Sequence, residues 1–123
     1  MATILVLDDD DMILETLSII LKDAGHDILT GSNGNEGLKR CRERKVDLVI
    51  TDIVMPDKEG LETIQDIKKL YPEIKIIAMS GGGNIATSNY LQIAKAFGAQ
   101  QTLEKPFKKK DIVSTVQEVL REH

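Results

Sequence analysis

The chain is poor in cysteine, proline and aromatic residues, and it has no long apolar run. Cys41 is its only cysteine among 123 residues. A disulfide framework is thereby excluded, and a reducing, cytoplasmic setting is expected. His26 and His123 are the only histidines, and neither sits in a pairing motif that would make Cys41 a nucleophile. Cys41 reads instead as a helix residue facing partly inward. No apolar run approaches bilayer length, so membrane insertion is not expected. The N-terminus lacks a basic stretch, a long apolar stretch and a small-residue cleavage site, so no signal peptide is expected. With aromatics at 3%, no aromatic ladder accompanies the one basic run, Lys108-Lys109-Lys110. That run reads as a solvated helix start. The formal net charge of -4 argues against direct nucleic-acid binding.

What remains is ordinary for a folded chain. Apolar residues at 41% and charged residues at 29% fit one globular domain with a single core, residues 1–123, with no linker and no second domain. Short apolar runs alternate with helical patterns. Ile4–Leu7, Asp47–Thr51 and Ile74–Met79 contain buried-strand signatures, while Asp27–Thr30 and Gln101–Glu104 are weaker, more polar strand candidates. Between them run helical stripes. The first comprises Ile13, Leu17, Ile20, Leu21 and Ala24, with Gly25 as a stop. A second helix, capped by Asn33 or Ser32, reaches about Arg44. The third stripe is Leu61, Ile64, Ile67 and Leu70, closed by Tyr71-Pro72. Tyr90, Leu91, Ala94 and Phe97 form the fourth, ended by Gly98. Ile112, Val113, Val116, Val119 and Leu120 form the last.

Five strand–helix repeats imply an α/β fold, a doubly wound parallel sheet with helices on both faces and right-handed crossovers. Central strands of such sheets are apolar on both sides. The polar second and fifth strands therefore belong at the edges. Strand order 2-1-3-4-5 satisfies that sorting and gives a flavodoxin-like (βα)5 three-layer sandwich.

Ligands of open parallel sheets bind beyond the carboxyl ends of the strands. Asp8 and Asp9 follow the first strand, within the run Asp8-Asp9-Asp10-Asp11. Asp52 follows the third, and Ser80 the fourth, before Gly81-Gly82-Gly83. Lys105 follows the fifth, before Pro106-Phe107. Clustered carboxylates resist joint ionisation unless a cation joins them, and hard oxygen ligands suit Mg²⁺ or Mn²⁺. Asp9 and Asp52 can ligate an ion directly, and Asp8 directly or through water. Lys105 offers a point charge to a phosphoryl oxygen, and Ser80 a hydrogen bond. The set looks like a metal-assisted phosphoryl site in which Asp52, on the middle strand, is the acceptor. Asp10 and Asp11 read as helix-start residues. Asp57, Glu59, Pro56 and Gly60 read as shaping the loop before the third helix. Met79 and Phe107 read as packing residues.

These residues resemble the receiver domain of two-component response regulators. The resemblance rests on Leu7-Asp8-Asp9, on Asp47 through Pro56 with Gly60, on Ile77-Ala78-Met79-Ser80 and on Lys105-Pro106-Phe107, and it covers essentially the whole chain. It implies that Asp52 takes phosphate from a histidine kinase or histidine phosphotransfer protein. It implies a Mg²⁺ site of Asp8, Asp9, Asp52 and the backbone carbonyl of Val54, with Ser80 and Lys105 sensing the phosphoryl group. A cis peptide bond from Lys105 to Pro106 is implied as well. Many members carry an aromatic switch residue where this chain has Thr102. Val54 and Gly82 hold the positions that tune phosphate lifetime and offer no side chain to orient water, so slow phosphate loss is expected. The glycine run and the start of the fourth helix are expected to be mobile. With no output domain expected, the message would leave by contact with a downstream protein or through a phosphorelay, from a monomer or a phosphorylation-dependent dimer.

Three other readings compete. A haloacid-dehalogenase-like phosphatase would use Asp8-x-Asp10, Ser80 and Lys105, with Asp8 as nucleophile. It leaves Asp52 and Met55-Pro56 unexplained, and Asp111 is a poor substitute for its further acidic motif. A binding-only pseudo-receiver conflicts with the intact carboxylate, hydroxyl and lysine set. A flavin-binding domain lacks its phosphate-cradling loop after the first strand.

Overall fold

The computed structural model describes residues 2–53, 60–81 and 92–121. Five strands, β1 (Thr3–Leu7), β2 (Asp27–Gly31), β3 (Leu48–Asp52), β4 (Lys75–Gly81) and β5 (Gln101–Lys105), form one sheet in the order β2-β1-β3-β4-β5. Every pairing is parallel. The expected strand order and fold class are thus the observed ones. Four helices, α1 (Asp11–Asp23), α2 (Gly34–Glu43), α3 (Gly60–Leu70) and, at the end, α5 (Lys109–Arg121), alternate with the strands. Residues 92–97 are helical and form the described part of α4.

Period-two alternation along buried strands sends side chains to two opposite layers. Leu5, Leu7, Val49, Ile76 and Ala78 meet Cys41, Ile64, Ile67 and Ala94 on one face. Ile4, Val6, Ile50, Ile77 and Met79 meet Leu14, Leu17, Leu21, Ile112, Val116 and Val119 on the other. β1, β3 and most of β4 are buried, whereas β2 and β5 are only partly so, as expected for edges.

The helical stripes hold with local shifts. α1 buries Leu14, Leu17 and Leu21, while Ala24 is an exposed C-cap. The apolar sequence pattern put Ala24 in the core because alanine carries no directional signal. Leu14, outside the expected stripe, is buried, and its spacing to Leu17 and Leu21 is the inward stripe. Leu70, expected inward, is 61% exposed at the end of α3. Asn33 is the N-cap of α2, accepting from the Glu36 N–H at 2.9 Å. Asp10 caps α1 through the Met12 N–H, and Asp11 lies in its first turn. Cys41 is buried more completely than expected. Met79 is fully buried, and Phe107 packs partly buried on the second layer. Lys109 opens α5 as an exposed residue near Asp23.

Candidate functional site

The three central strands and β5 end on one rim of the sheet, and each delivers a polar group there. β1 stops at Leu7, so Asp8 is the first residue beyond it. Asp8 is nevertheless fully buried. Its two carboxylate oxygens have different partners. Oδ1 accepts from the Asp10 N–H at 2.9 Å, and Oδ2 accepts from Lys105 Nζ at 2.7 Å. Asp52 is the last residue of β3 rather than a residue after it, and is also buried. Its Oδ2 lies 3.3 Å from the same Lys105 ammonium. One lysine thus serves two acids from different strands, separated from it by 97 and 53 residues of chain.

Burial works against charge on both partners. It raises the Asp8 carboxyl above the ordinary aspartate range, although the hydrogen bonds from Lys105 and the Asp10 N–H pull the other way. Burial would lower Lys105, but its hydrogen bond to Asp8 and the charges of Asp52 and Asp8 outweigh that and hold the ammonium above the usual lysine range. Lys105 therefore stays a cation.

Asp9 joins from the solvent side. It is exposed, and ligand oxygens of Asp8, Asp9 and Asp52 all lie within 4.8 Å of one another. Three carboxylates facing one ammonium leave net negative charge in a small space. All the donors are hard oxygens. The cluster fits a divalent cation such as Mg²⁺ or Mn²⁺, which prefers oxygen ligands and few protein carboxylates.

Ser80 adds an independent sign of a ligand. The residue is 2% exposed, and its Oγ finds no hydrogen-bond partner among the described residues. A buried hydroxyl left unpaired costs about 1–3 kcal/mol, so an incoming oxygen acceptor would be favoured beside it. Ser80 pairs in register with Glu104, and the following residue, Gly81, with Lys105. The hydroxyl and the ammonium thus leave neighbouring strands one register step apart.

Backbone packing fixes the acceptor strand. The Asp52 carbonyl accepts from Thr51 Oγ1 at 2.9 Å, and the Gly60 N–H donates to the Ile53 carbonyl at 3.1 Å. A Cβ on Gly60 would collide with the Asp52 carbonyl oxygen and Ile53 Cα. Glycine is therefore required where α3 returns to β3, as expected for a loop-shaping residue. The Lys105–Pro106 peptide bond is cis.

Asp8, Asp9, Asp52 and Lys105 are thus brought together, and Ser80 lies on the adjoining strand end. Thr102 is half-buried on β5, in register with Ala78. Val54, Met55, Pro56, Asp57, Glu59, Gly82, Gly83, Tyr90 and Leu91 lie outside the described residues, as do the expected mobile loop and the start of α4. Sequence reasoning missed the second task of Asp10, whose N–H clamps Asp8 while its side chain caps α1. The signal was there, since capping places a tight turn directly after β1.

The chain has clear relatives. The family model described as response regulator receiver domain matches residues 4–117. The DNA-binding transcriptional regulator NtrC of Azospirillum brasilense is 40% identical over 119 residues, covering 97% of this chain and 24% of that protein. The chain therefore spans about a quarter of that relative's length. The crystallised receiver domain of NtrX from Brucella abortus is 33% identical with a TM-score of 0.89, covering 98% of this chain and 99% of that one. A CheY-like receiver domain protein from Methanospirillum hungatei is 29% identical with a TM-score of 0.88, covering 98% and 94%. Among the described residues, no helix is long and apolar enough to cross a membrane.

Proposed function

We propose, for a chain that belongs to the family of response regulator receiver domains, that Asp52 accepts a phosphoryl group from the phosphohistidine of a histidine kinase or histidine phosphotransfer protein. The observation that carries this reading is the Lys105 ammonium shared between Asp8 and Asp52. It sets a fixed positive charge beside the one buried carboxylate that ends the central strand. An Asp52 oxygen attacks phosphorus, the P–N bond to the donor imidazole breaks, and the imidazole leaves carrying a proton. The product is an acyl phosphate on the chain. Asp8, Asp9 and Asp52, with the Val54 carbonyl, are the residues that would hold Mg²⁺ or Mn²⁺. Such an ion, when bound, offsets repulsion between carboxylates and phosphoryl oxygens.

The remaining groups suit sensing. Lys105 can turn from Asp52 to a phosphoryl oxygen without leaving Asp8. The Ser80 hydroxyl can donate to another oxygen and gain the partner it lacks among the described residues. Both moves draw the ends of β4 and β5 toward Asp52, and so bias the surface of α4, β5 and α5 on which a downstream protein would dock. Thr102 is too small to act as an aromatic rotamer switch, so displacement of the strand ends carries the signal. Residues 1–123 act as one such phosphoacceptor domain, a signalling module whose only chemistry is its own phosphorylation and dephosphorylation. Phosphate loss is slow, because Val54 and Gly82 bring no side chain to orient water.

The phosphatase alternative requires Asp8 as nucleophile. Both Asp8 oxygens are already engaged, by the Asp10 N–H and by Lys105. The purified chain, incubated with Mg²⁺ and a small phosphodonor, should gain the mass of one phosphoryl group and keep it long enough to be weighed. Asp52→Asn should gain none. Equal modification of both proteins, or rapid turnover of donor without a modified chain, would refute the assignment.

A further inference from the structure

Gly37 stands inside α2, where glycine is a poor helix former. What a side chain would meet there explains the choice. A Cβ on Gly37 would lie 2.5 Å from Leu7 Cδ1 and 3.1 Å from Leu7 Cδ2. A Cβ on Gly31 would lie 2.8 Å from Leu7 Cδ2 and 3.2 Å from the Glu36 Cβ. Carbons in ordinary contact sit at about 3.5–4.0 Å. Leu7 is fully buried in the layer that holds Val49, Ile53, Ile64 and Cys41. Both of its methyls are therefore seated, and neither can swing away without displacing close-packed neighbours.

Leu7 is the last residue of β1, and the acid pair follows it directly. The Asp8 N–H donates to the Gly31 carbonyl at 3.2 Å. The glycine that touches Leu7 from β2 thus also holds the backbone of Asp8. Side-chain seat and backbone bond act on the same two residues, immediately beneath the acid cluster.

We propose that Gly37 is a positioning residue for that cluster: its missing side chain lets Leu7 seat against α2, and this seat fixes where Asp8 and Asp9 stand for a cation. The inference rests on reading the three acids as a cation site. A methyl group at position 37 forces the Leu7 side chain, α2 or the end of β1 to give, and the close packing around Leu7 passes that shift to the strand end. The bond from Asp8 to Gly31 and the grip of Lys105 on Asp8 tie the strand end to the site, so movement of β1 reaches the carboxylates. Outer groups that orient metal ligands commonly change affinity 10- to 100-fold when altered.

The test is calorimetric titration of Mg²⁺ into the full chain, with thermal unfolding of each protein alongside. The variants are Gly37→Ala, the double variant Gly37→Ala with Leu7→Val, and Val116→Ala, which thins the core on the opposite face of the sheet. Gly37→Ala should bind Mg²⁺ about tenfold more weakly. The double variant should recover most of that loss, because the smaller side chain makes room for the added methyl. Val116→Ala should lose stability and bind Mg²⁺ as the wild type does. If Gly37→Ala fails to fold, Leu7→Val alone should weaken Mg²⁺ binding by loosening the seat. Wild-type affinity in a folded Gly37→Ala or Leu7→Val would overturn the inference, as would a double variant that recovers nothing. A wild-type chain that binds no Mg²⁺ would overturn the cation site itself, and this inference with it.

Discussion

Asp8 is the hinge of the site at the scale of single residues. It is buried, it spends one oxygen on a backbone N–H, and it shares the other with Lys105. Asp52 has the same lysine at a longer distance, which suits a group that must exchange partners. Cys41 shows the contrasting case in which burial outweighs a neighbouring charge. Burial pushes its thiol up to about 11 from an ordinary 9.0, despite the nearby Arg42 charge. The folded state therefore keeps a proton that the unfolded state loses above pH 9. The resulting stability is fully present below pH 9 and is lost as pH rises through about 11. It amounts to about 3 kcal/mol by linkage. Urea unfolding at stepped alkaline pH should show a steeper loss for the wild type than for Cys41→Ala over that window. Parallel profiles would contradict the burial argument. The same burial makes Cys41 a poor nucleophile, as its lack of a histidine partner suggested.

At the scale of elements, caps and inward stripes decide how firmly each helix holds its strand. Asn33 accepts from the Glu36 N–H, and Glu36 reaches back to the Ser32 N–H at 2.5 Å. These two bonds start α2 directly before the glycine that seats Leu7. Asn33→Ala should cost about 1 kcal/mol. Leu17→Ala, which opens a cavity under α1, should cost about 2–5 kcal/mol. Leu70→Ala should stay within about 0.5 kcal/mol, because Leu70 is largely exposed. Denaturant unfolding gives all three, and a different ranking would contradict the assigned faces. The caps were legible in the sequence because Asn33 and Asp10 are short polar residues placed before helical patterns. The faces were legible only in part. Ala24 and Leu70 fit the apolar spacing, but Ala24 is the C-cap of α1 and Leu70 the last residue of α3, where spacing no longer reports burial.

At the scale of the whole molecule, two physical rules carried most of the sequence reading. Polar strands go to sheet edges, which placed β2 and β5, and ligands gather beyond the carboxyl ends of the strands, which joined Asp8, Asp52 and Lys105 across the chain. What the sequence did not disclose was the network among them. That Lys105 bridges two acids, that Asp10 clamps Asp8 and that Leu7 rests on Gly31 and Gly37 depend on distances between elements far apart in sequence. No local pattern encodes those. The central claim is that the rim holds one phosphate acceptor, on the middle strand. The most direct test phosphorylates the chain with a small donor and Mg²⁺, reduces the acyl phosphate with borohydride to convert the modified aspartate to homoserine, and maps the product by peptide mass spectrometry. Homoserine at position 52 is the predicted result. Homoserine at position 8 or 9 instead would contradict the account.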